Sequence, residues 1–304
     1  MEELQSRRGL AEAGITYSAG IVLYVIASLV LSVACVLSMG EGYASSAVYR
    51  WLAYLLPQVC FAAAALVFFR RSGLAARAVY RGCKPKYFLF ALLLPFGLLF
   101  SLSELNTLFS DWLVSLGFSM PENTLPPLEG WYLLPALLII AVLPALFEET
   151  IFRGILVGRM HAAGWGNAAI VLISGALFAL YHGSPLQTVY QFLCGCCYAL
   201  LALRAGSVLP TALSHLCNNA VILVLTATGY GDLTLLGQAW RIALIVLAAL
   251  ALAGTLVYLI FFDKNNAQKG GAKDGKYFFY GAGTGIAVCA VLWIANLVTG
   301  FSGG

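Results

Sequence analysis

Three short patterns carry most of the side chains in this sequence that could do chemistry. Residues 147–153 read Phe147-Glu148-Glu149-Thr150-Ile151-Phe152-Arg153, residues 178–182 read Phe178-Ala179-Leu180-Tyr181-His182, and residues 215–219 read His215-Leu216-Cys217-Asn218-Asn219. Carboxylate and imidazole are the groups that move protons near neutral pH. On a helix the adjacent Glu148 and Glu149 point about 100° apart, so they cannot share one role. Glu149 and Arg153 stand at i, i+4 with the acid first, the favourable order for a helical ion pair. That pairing leaves Glu148 to face a bundle interior, where a partly desolvated carboxylate suits general-base work. His215 and Asn219 share a helical face and present two donors side by side. Such a pair stabilises an oxyanion if His215 turns its proton toward the substrate. His182 is suited to orient or activate a water together with Glu148.

The elements that must position these groups are membrane helices. Of 304 residues, 61% are hydrophobic and 10% charged, where a soluble domain carries about 25% charged residues. So apolar a chain cannot cover a globular surface with polar groups, and lipid must be its outer solvent. Nine apolar runs are long enough to consider as spans, roughly at 16–38, 51–69, 87–107, 131–158, 167–184, 187–203, 207–228, 239–262 and 277–299. The third carries Pro95 and the fourth Pro135 and Pro144, which bundled membrane helices tolerate. The first run follows Arg7 and Arg8. It is too long for the apolar region of a signal peptide and lacks a clear cleavage site, so it reads as a retained helix. The expectation is an all-α, polytopic bundle of about nine transmembrane helices.

Charge then orients the bundle. The segment 70–86 holds Arg70, Arg71, Arg77, Arg81, Lys84 and Lys86 with no acid, and 263–276 holds Lys264, Lys269, Lys273 and Lys276. The segment 104–130 holds Glu104, Asp111, Glu122 and Glu129 with no base. With nine spans and a cytoplasmic N-terminus, all but Arg50 and Arg241 of the 17 basic residues fall on the cytoplasmic side, as the positive-inside rule requires. The expected location is a cell membrane, crossed many times, with the C-terminus external. The net charge of +4 is then a topology signal, and nothing in it points to nucleic acid. Of the eight cysteines, seven fall inside apolar spans and Cys83 in a cytoplasmic loop. They read as small apolar filler, and Cys194, Cys196 and Cys197 lack the spacing of a zinc finger.

No soluble domain, internal repeat or nucleotide-binding glycine pattern is evident. The chain divides into residues 1–130 with spans one to three and an outer loop, a core at 131–228 with spans four to seven, and 229–304 with spans eight and nine. The last span carries Gly281, Gly283 and Gly285, small residues that allow close helix packing. Only spans four, five and seven carry ionisable residues deep inside, at Glu148, Glu149, Arg153, His182 and His215. Each charge at membrane depth costs roughly 2.5–3.5 kcal/mol on insertion scales, so such groups usually mark function. A lone buried histidine is usually a satisfied structural group, and a Glu–Arg pair in a membrane is often structural glue. Their grouping on three spans of an otherwise apolar chain favours a functional polar site. Physical reasoning leaves two classes open, a membrane enzyme doing water chemistry and a proton-coupled transporter. A transporter would be expected to show paired repeats with broken helices at matching positions.

The three motifs together, Glu148-Glu149-x-x-x-Arg153, Phe178-x-x-x-His182 and His215-x-x-x-Asn219, resemble the signature of the CPBP family, the CAAX proteases and bacteriocin-processing enzymes also called ABI. The resemblance covers roughly residues 131–228. It implies an intramembrane endopeptidase with a conical active-site cavity, acting on a peptide or protein substrate that is C-terminal or membrane-associated. It implies Glu148 as the base that activates water, His182 as its assistant, and His215 with Asn219 as the oxyanion hole. Glu149, Arg153 and Phe178 would support the site. The family is called metalloprotease, and Glu148, His182 and His215 would supply the ligands of a catalytic zinc. A His-Glu-x-x-His helix is absent from the sequence. Catalytically silent relatives acting as immunity or binding proteins are the alternative within the same resemblance.

Overall fold

The computed structural model describes residues 2–120, 125–231 and 235–302. Pro121 and Glu122, which the sequence assigns to the acidic outer loop, lie outside the described residues. The apolar runs fold as helices: α1 (Glu2–Met39), α2 (Ala47–Ser72), α3 (Lys86–Ser115), α4 (Gly130–Ala162), α5 (Asn167–His182), α6 (Thr188–Ala205), α7 (Leu209–Thr228), α8 (Gln238–Phe262) and α9 (Gly275–Ser302). Among the described residues, eight of these are long and apolar enough to cross a bilayer, and the chain is a multi-pass, all-α membrane protein.

The fifth run departs from expectation. Read as a span of 18 residues, it forms a helix of only 16, or about 24 Å at 1.5 Å per residue. That is short of a hydrocarbon core of about 30 Å. The helix stops because Gly183 takes the left-handed conformation at φ 63°, which only glycine adopts without strain. His182 sits on its last turn, and the Gly183 carbonyl just beyond it accepts from Asn296 of α9.

Two buried clusters organise the bundle. One joins α1, α2, α4, α5 and α9 through Tyr17, Phe61, Phe152, Phe178 and Phe278. The other joins α3, α6 and α8 through Leu94, Tyr198, Leu201 and Leu259. The outer faces carry exposed Leu29, Leu37, Leu134 and Val291, as lipid contact requires. Without a hydrophobic force between helices in lipid, close approach must come from small residues. A Cβ on Gly14 would lie 2.3 Å from the Phe278 carbonyl oxygen, and one on Gly281 2.6 Å from that of Ala11. Ser18 fastens the contact: its Oγ donates to the Gly281 carbonyl at 2.7 Å and accepts from the Gly285 amide at 2.9 Å. Gly283 points to open space. The α5–α6 pair closes the same way, with Gly175 against Gly195 and Cys196.

Helix α4 is not uniform. It opens into wide, π-type turns at Leu137–Val142 and Thr150–Val157, with a regular segment Leu143–Glu149 between them that carries Pro144 in its first turn. Wide turns of this kind are rare and concentrate at functional sites. Glu148 and Glu149 end the regular segment.

Loop contacts place the basic segments at one end of the bundle. Arg81 donates from Nε to the Gly206 carbonyl, Lys86 pairs with Asp263 at 2.7 Å, Arg7 with Asp274 at 3.4 Å, and Asn265 Nδ2 donates to the Arg204 carbonyl at 2.6 Å. At the opposite end Ser119 bonds Gly300, Asn296 bonds Gly183, and Arg241 pairs with Glu104 at 2.9 Å.

Candidate active site

The two adjacent glutamates do separate. Glu149 and Arg153 form an ion pair at 2.9 Å, both side chains fully buried. A buried cation must have more than one partner. The Arg153 guanidinium also donates to the Gly195 carbonyl at 3.4 Å and lies 4.3 Å from the Phe178 ring centroid and 5.4 Å from that of Tyr198. Aromatic faces attract a desolvated cation, so Phe178 supports the site by holding Arg153. Glu148, turned to another face, makes no ion pair among the described residues. Its Oε1 accepts from Gln58 Nε2 at 2.9 Å and from the Tyr181 hydroxyl at 3.2 Å. The side chain is 5% exposed.

Glu149 does a second thing that local spacing does not reveal. The same Oε1 that meets Arg153 lies 2.9 Å from His215 Nδ1. With Nδ1–H donating there, Nε2 is the ring nitrogen left for a bound group. His182 is fixed in parallel fashion, its Nδ1 2.8 Å from the Phe178 carbonyl oxygen. Asn219 is held at both ends of its amide: Nδ2 donates to the Ile140 carbonyl at 2.9 Å, and Oδ1 accepts from Asn218 Nδ2 at 3.2 Å. The Tyr190 hydroxyl donates in turn to Asn218 Oδ1 at 3.3 Å. Ile140 lies in the first wide turn of α4, so that turn supplies the carbonyl that orients Asn219.

Glu148, Phe178, His182, His215 and Asn219 all line one cavity of about 940 Å³. Glu149 and Arg153 lie beneath it, behind the wall. The structure thus brings together helices that the sequence motifs named and adds several partners that they did not. Gln58, Tyr181, Tyr190 and Asn218 also line the cavity. Gln58 carries a readable signal, an amide in the middle of an apolar run. On α3, Asn106 also lines the cavity, and Glu104 ties α3 to α8 through Arg241. Cys194, Cys196 and Cys197 are free thiols.

The zinc ligand set that the resemblance implies meets a geometric test here. Both histidines carry the Nδ1 hydrogen bond typical of metal-ligating imidazoles. Yet no three His, Cys, Asp or Glu side chains among the described residues come together closely enough to hold a metal ion. Glu148, His182 and His215 do not form a ready ligand shell.

Comparison with known proteins agrees with the motifs. No curated protein and no solved structure matches the chain. Residues 130–221, less than a third of it, match the family model described as type II CAAX prenyl endopeptidase Rce1-like. The segment that holds Glu148, Glu149, Arg153, His182, His215 and Asn219 is therefore the segment in which this membrane protein is similar to the Rce1-like type II CAAX prenyl endopeptidases.

Proposed function

We propose that the protein is an intramembrane endopeptidase in which Glu148 activates a water for attack on a peptide bond. The observation that carries this reading is the contrast between two neighbouring carboxylates. Glu149 is neutralised by Arg153 and buried, while Glu148 faces a large cavity with neutral donors as its partners. A carboxylate held by Gln58 and Tyr181 at the cavity wall is placed to take a proton from a water there.

In the proposed cycle Glu148 accepts a proton from water, and the hydroxide attacks the scissile carbonyl carbon. Negative charge develops on the carbonyl oxygen. His215 Nε2–H and the second amide hydrogen of Asn219 Nδ2 donate to that oxygen. In this step His215 directs Nδ1 to Glu149 and Nε2 to the oxyanion. His182 orients the water through Nε2. Collapse of the tetrahedral intermediate breaks the C–N bond, and Glu148 returns its proton to the leaving amine. The proposed orientation puts the N-terminus in the cytoplasm and the C-terminus outside, from the lysines and arginines gathered at one end.

The competing reading is proton transport through the same polar cavity, and liposomes separate the two. Full-length protein reconstituted in sealed liposomes is expected to cleave quenched fluorescent peptides in a Glu148-dependent way. Glu148-dependent proton flux with no peptide cleaved would overturn the peptidase reading.

A further inference from the structure

We infer that the cavity takes its substrate from the membrane face opposite the basic loops, so that the substrate is an externally exposed peptide segment and not a prenylated cytoplasmic C-terminus. The peptide nature of that substrate rests on the peptidase reading above. The direction of access does not.

The cavity has a floor and a mouth, and the lining residues show which is which. On α2 the lining runs from Gln58, beside Glu148, through Tyr54 to Arg50, toward the Gly40–Ser46 end of the helix. On α7 it runs from His215 through Ile222 to Thr226, toward the Gly229 end. Each series climbs away from the end that carries the basic loops. Taking about 1.5 Å per residue, the α7 lining rises roughly 16 Å from His215 to Thr226. At the mouth Arg50 Nη1 donates to the Leu125 carbonyl at 3.3 Å, so the outer loop borders the opening.

Toward the basic loops lies a separate, smaller cavity of about 250 Å³ that reaches Val79, Arg153 and Gly154 and shares no lining residue with the first, so buried side chains divide the two. Below Glu148 the α4 side chains Ile151, Phe152, Ile155 and Leu156 are all at most 1% exposed. The buried Glu149–Arg153 pair crosses the same level, and Val79 fills the notch over Gly154, where a Cβ would meet it at 2.4 Å. By the positive-inside rule this plugged end is cytoplasmic. A prenylated C-terminus lies in the cytoplasmic leaflet. To reach Glu148 it would have to pass the plug, whereas an external peptide meets an open channel.

Cysteine labelling reads the direction of access without reference to activity. Ala53→Cys and Thr226→Cys, both at lining positions, are placed separately in the full chain with its natural cysteines retained. Cells are treated with a charged, membrane-impermeant maleimide. Cys83, half-buried in the loop between α2 and α3, reports the opposite face. Intact cells are expected to label either variant several-fold above the natural chain, with Cys83 reached only after permeabilisation. Thr226→Cys keeps the test decisive if Ala53→Cys fails to fold. Labelling of the introduced cysteines only after permeabilisation would overturn the inference. Sealed vesicles offered a quenched fluorescent peptide on one face at a time supply the second arm. Cleavage from the external face alone supports the inference, and cleavage from the cytoplasmic face alone overturns it. Cleavage from neither face contradicts the peptidase reading and leaves the labelling result to decide access.

Discussion

The carboxylate of Glu149 and the imidazole of His215 meet at 2.9 Å, fully buried on one side and nearly so on the other. One residue therefore both neutralises Arg153 and orients the histidine that faces the cavity. Changing it should cost stability and activity together. Glu149→Gln leaves Arg153 a stranded buried charge, at roughly 3–5 kcal/mol, so a lower melting temperature or poor expression in detergent is expected. Arg153→Gln should resemble it in stability. The double variant should recover part of the stability but little of the activity, because His215 still lacks its carboxylate. Recovery of full activity in the double variant would show that the Glu149–His215 contact has no part in the chemistry.

Gln58 reaches Glu148 from a helix that none of the three motifs covers. A hydrogen bond to a charged group contributes about 1.5–3 kcal/mol, which corresponds to roughly 10–150-fold. Gln58→Leu should lower kcat/KM within that range while the fold persists, since leucine fits an apolar span. Tyr181→Phe removes the longer bond at 3.2 Å and should lower kcat/KM less. Steady-state cleavage of a peptide by the two variants checks both the direction and the order.

What was legible in the sequence follows the range of each interaction. Glu149 and Arg153 are four residues apart on one helix, so helical geometry alone pairs them. Glu149 and His215 are 66 residues apart, and Gln58 and Glu148 are 90 apart. Neither contact leaves a trace in spacing. The spacing sets His215 beside Asn219, and the bond of its Nδ1 to Glu149 is visible only in the fold. The apolar runs gave the order of the helices, because hydropathy sums over about 20 residues and tolerates local error. They overestimated α5, where one glycine ends the helix, and could not show the wide turns of α4.

The glycines of α9 offer an internal control on packing. Gly281 and Gly285 are four residues apart and face α1, while Gly283 faces away. Gly281→Ala forces a Cβ to 2.6 Å from a backbone oxygen of α1, so the helices must separate. That variant should melt well below the natural protein. Gly283→Ala meets nothing within 4 Å and should be neutral or slightly stabilising, as alanine is the better helix former. Equal melting of the two would contradict the α1–α9 interface.

Asp263, in the loop after α8, fastens the basic end by its ion pair with Lys86. Burial acts to raise its carboxyl, but hydrogen bonds from Lys86 and the Asn265 amide outweigh burial and hold it below the usual aspartate value. A carboxyl lowered in the folded state adds stability that is fully present above the unfolded value, about pH 4, and is lost as pH falls through the folded one. The melting temperature of the natural protein should therefore decline below about pH 4. Asp263→Asn should melt lower at pH 7 and show a shallower decline in acid. A variant that melts like the natural protein at pH 7 would contradict a stabilising role for the pair.

The division of labour between Glu148 and Glu149 is tested most directly by Glu148→Gln, with thermal melting and peptide cleavage measured on the same preparation. The substitution keeps the shape and the Gln58 and Tyr181 neighbours of the side chain, and removes only the base. An unchanged melting temperature is expected, with cleavage reduced about 10²–10⁴-fold, the usual loss for a general base. Natural cleavage rates in a stable Glu148→Gln, beside a stable and inactive Glu149→Gln, would mean that the two glutamates have the opposite roles.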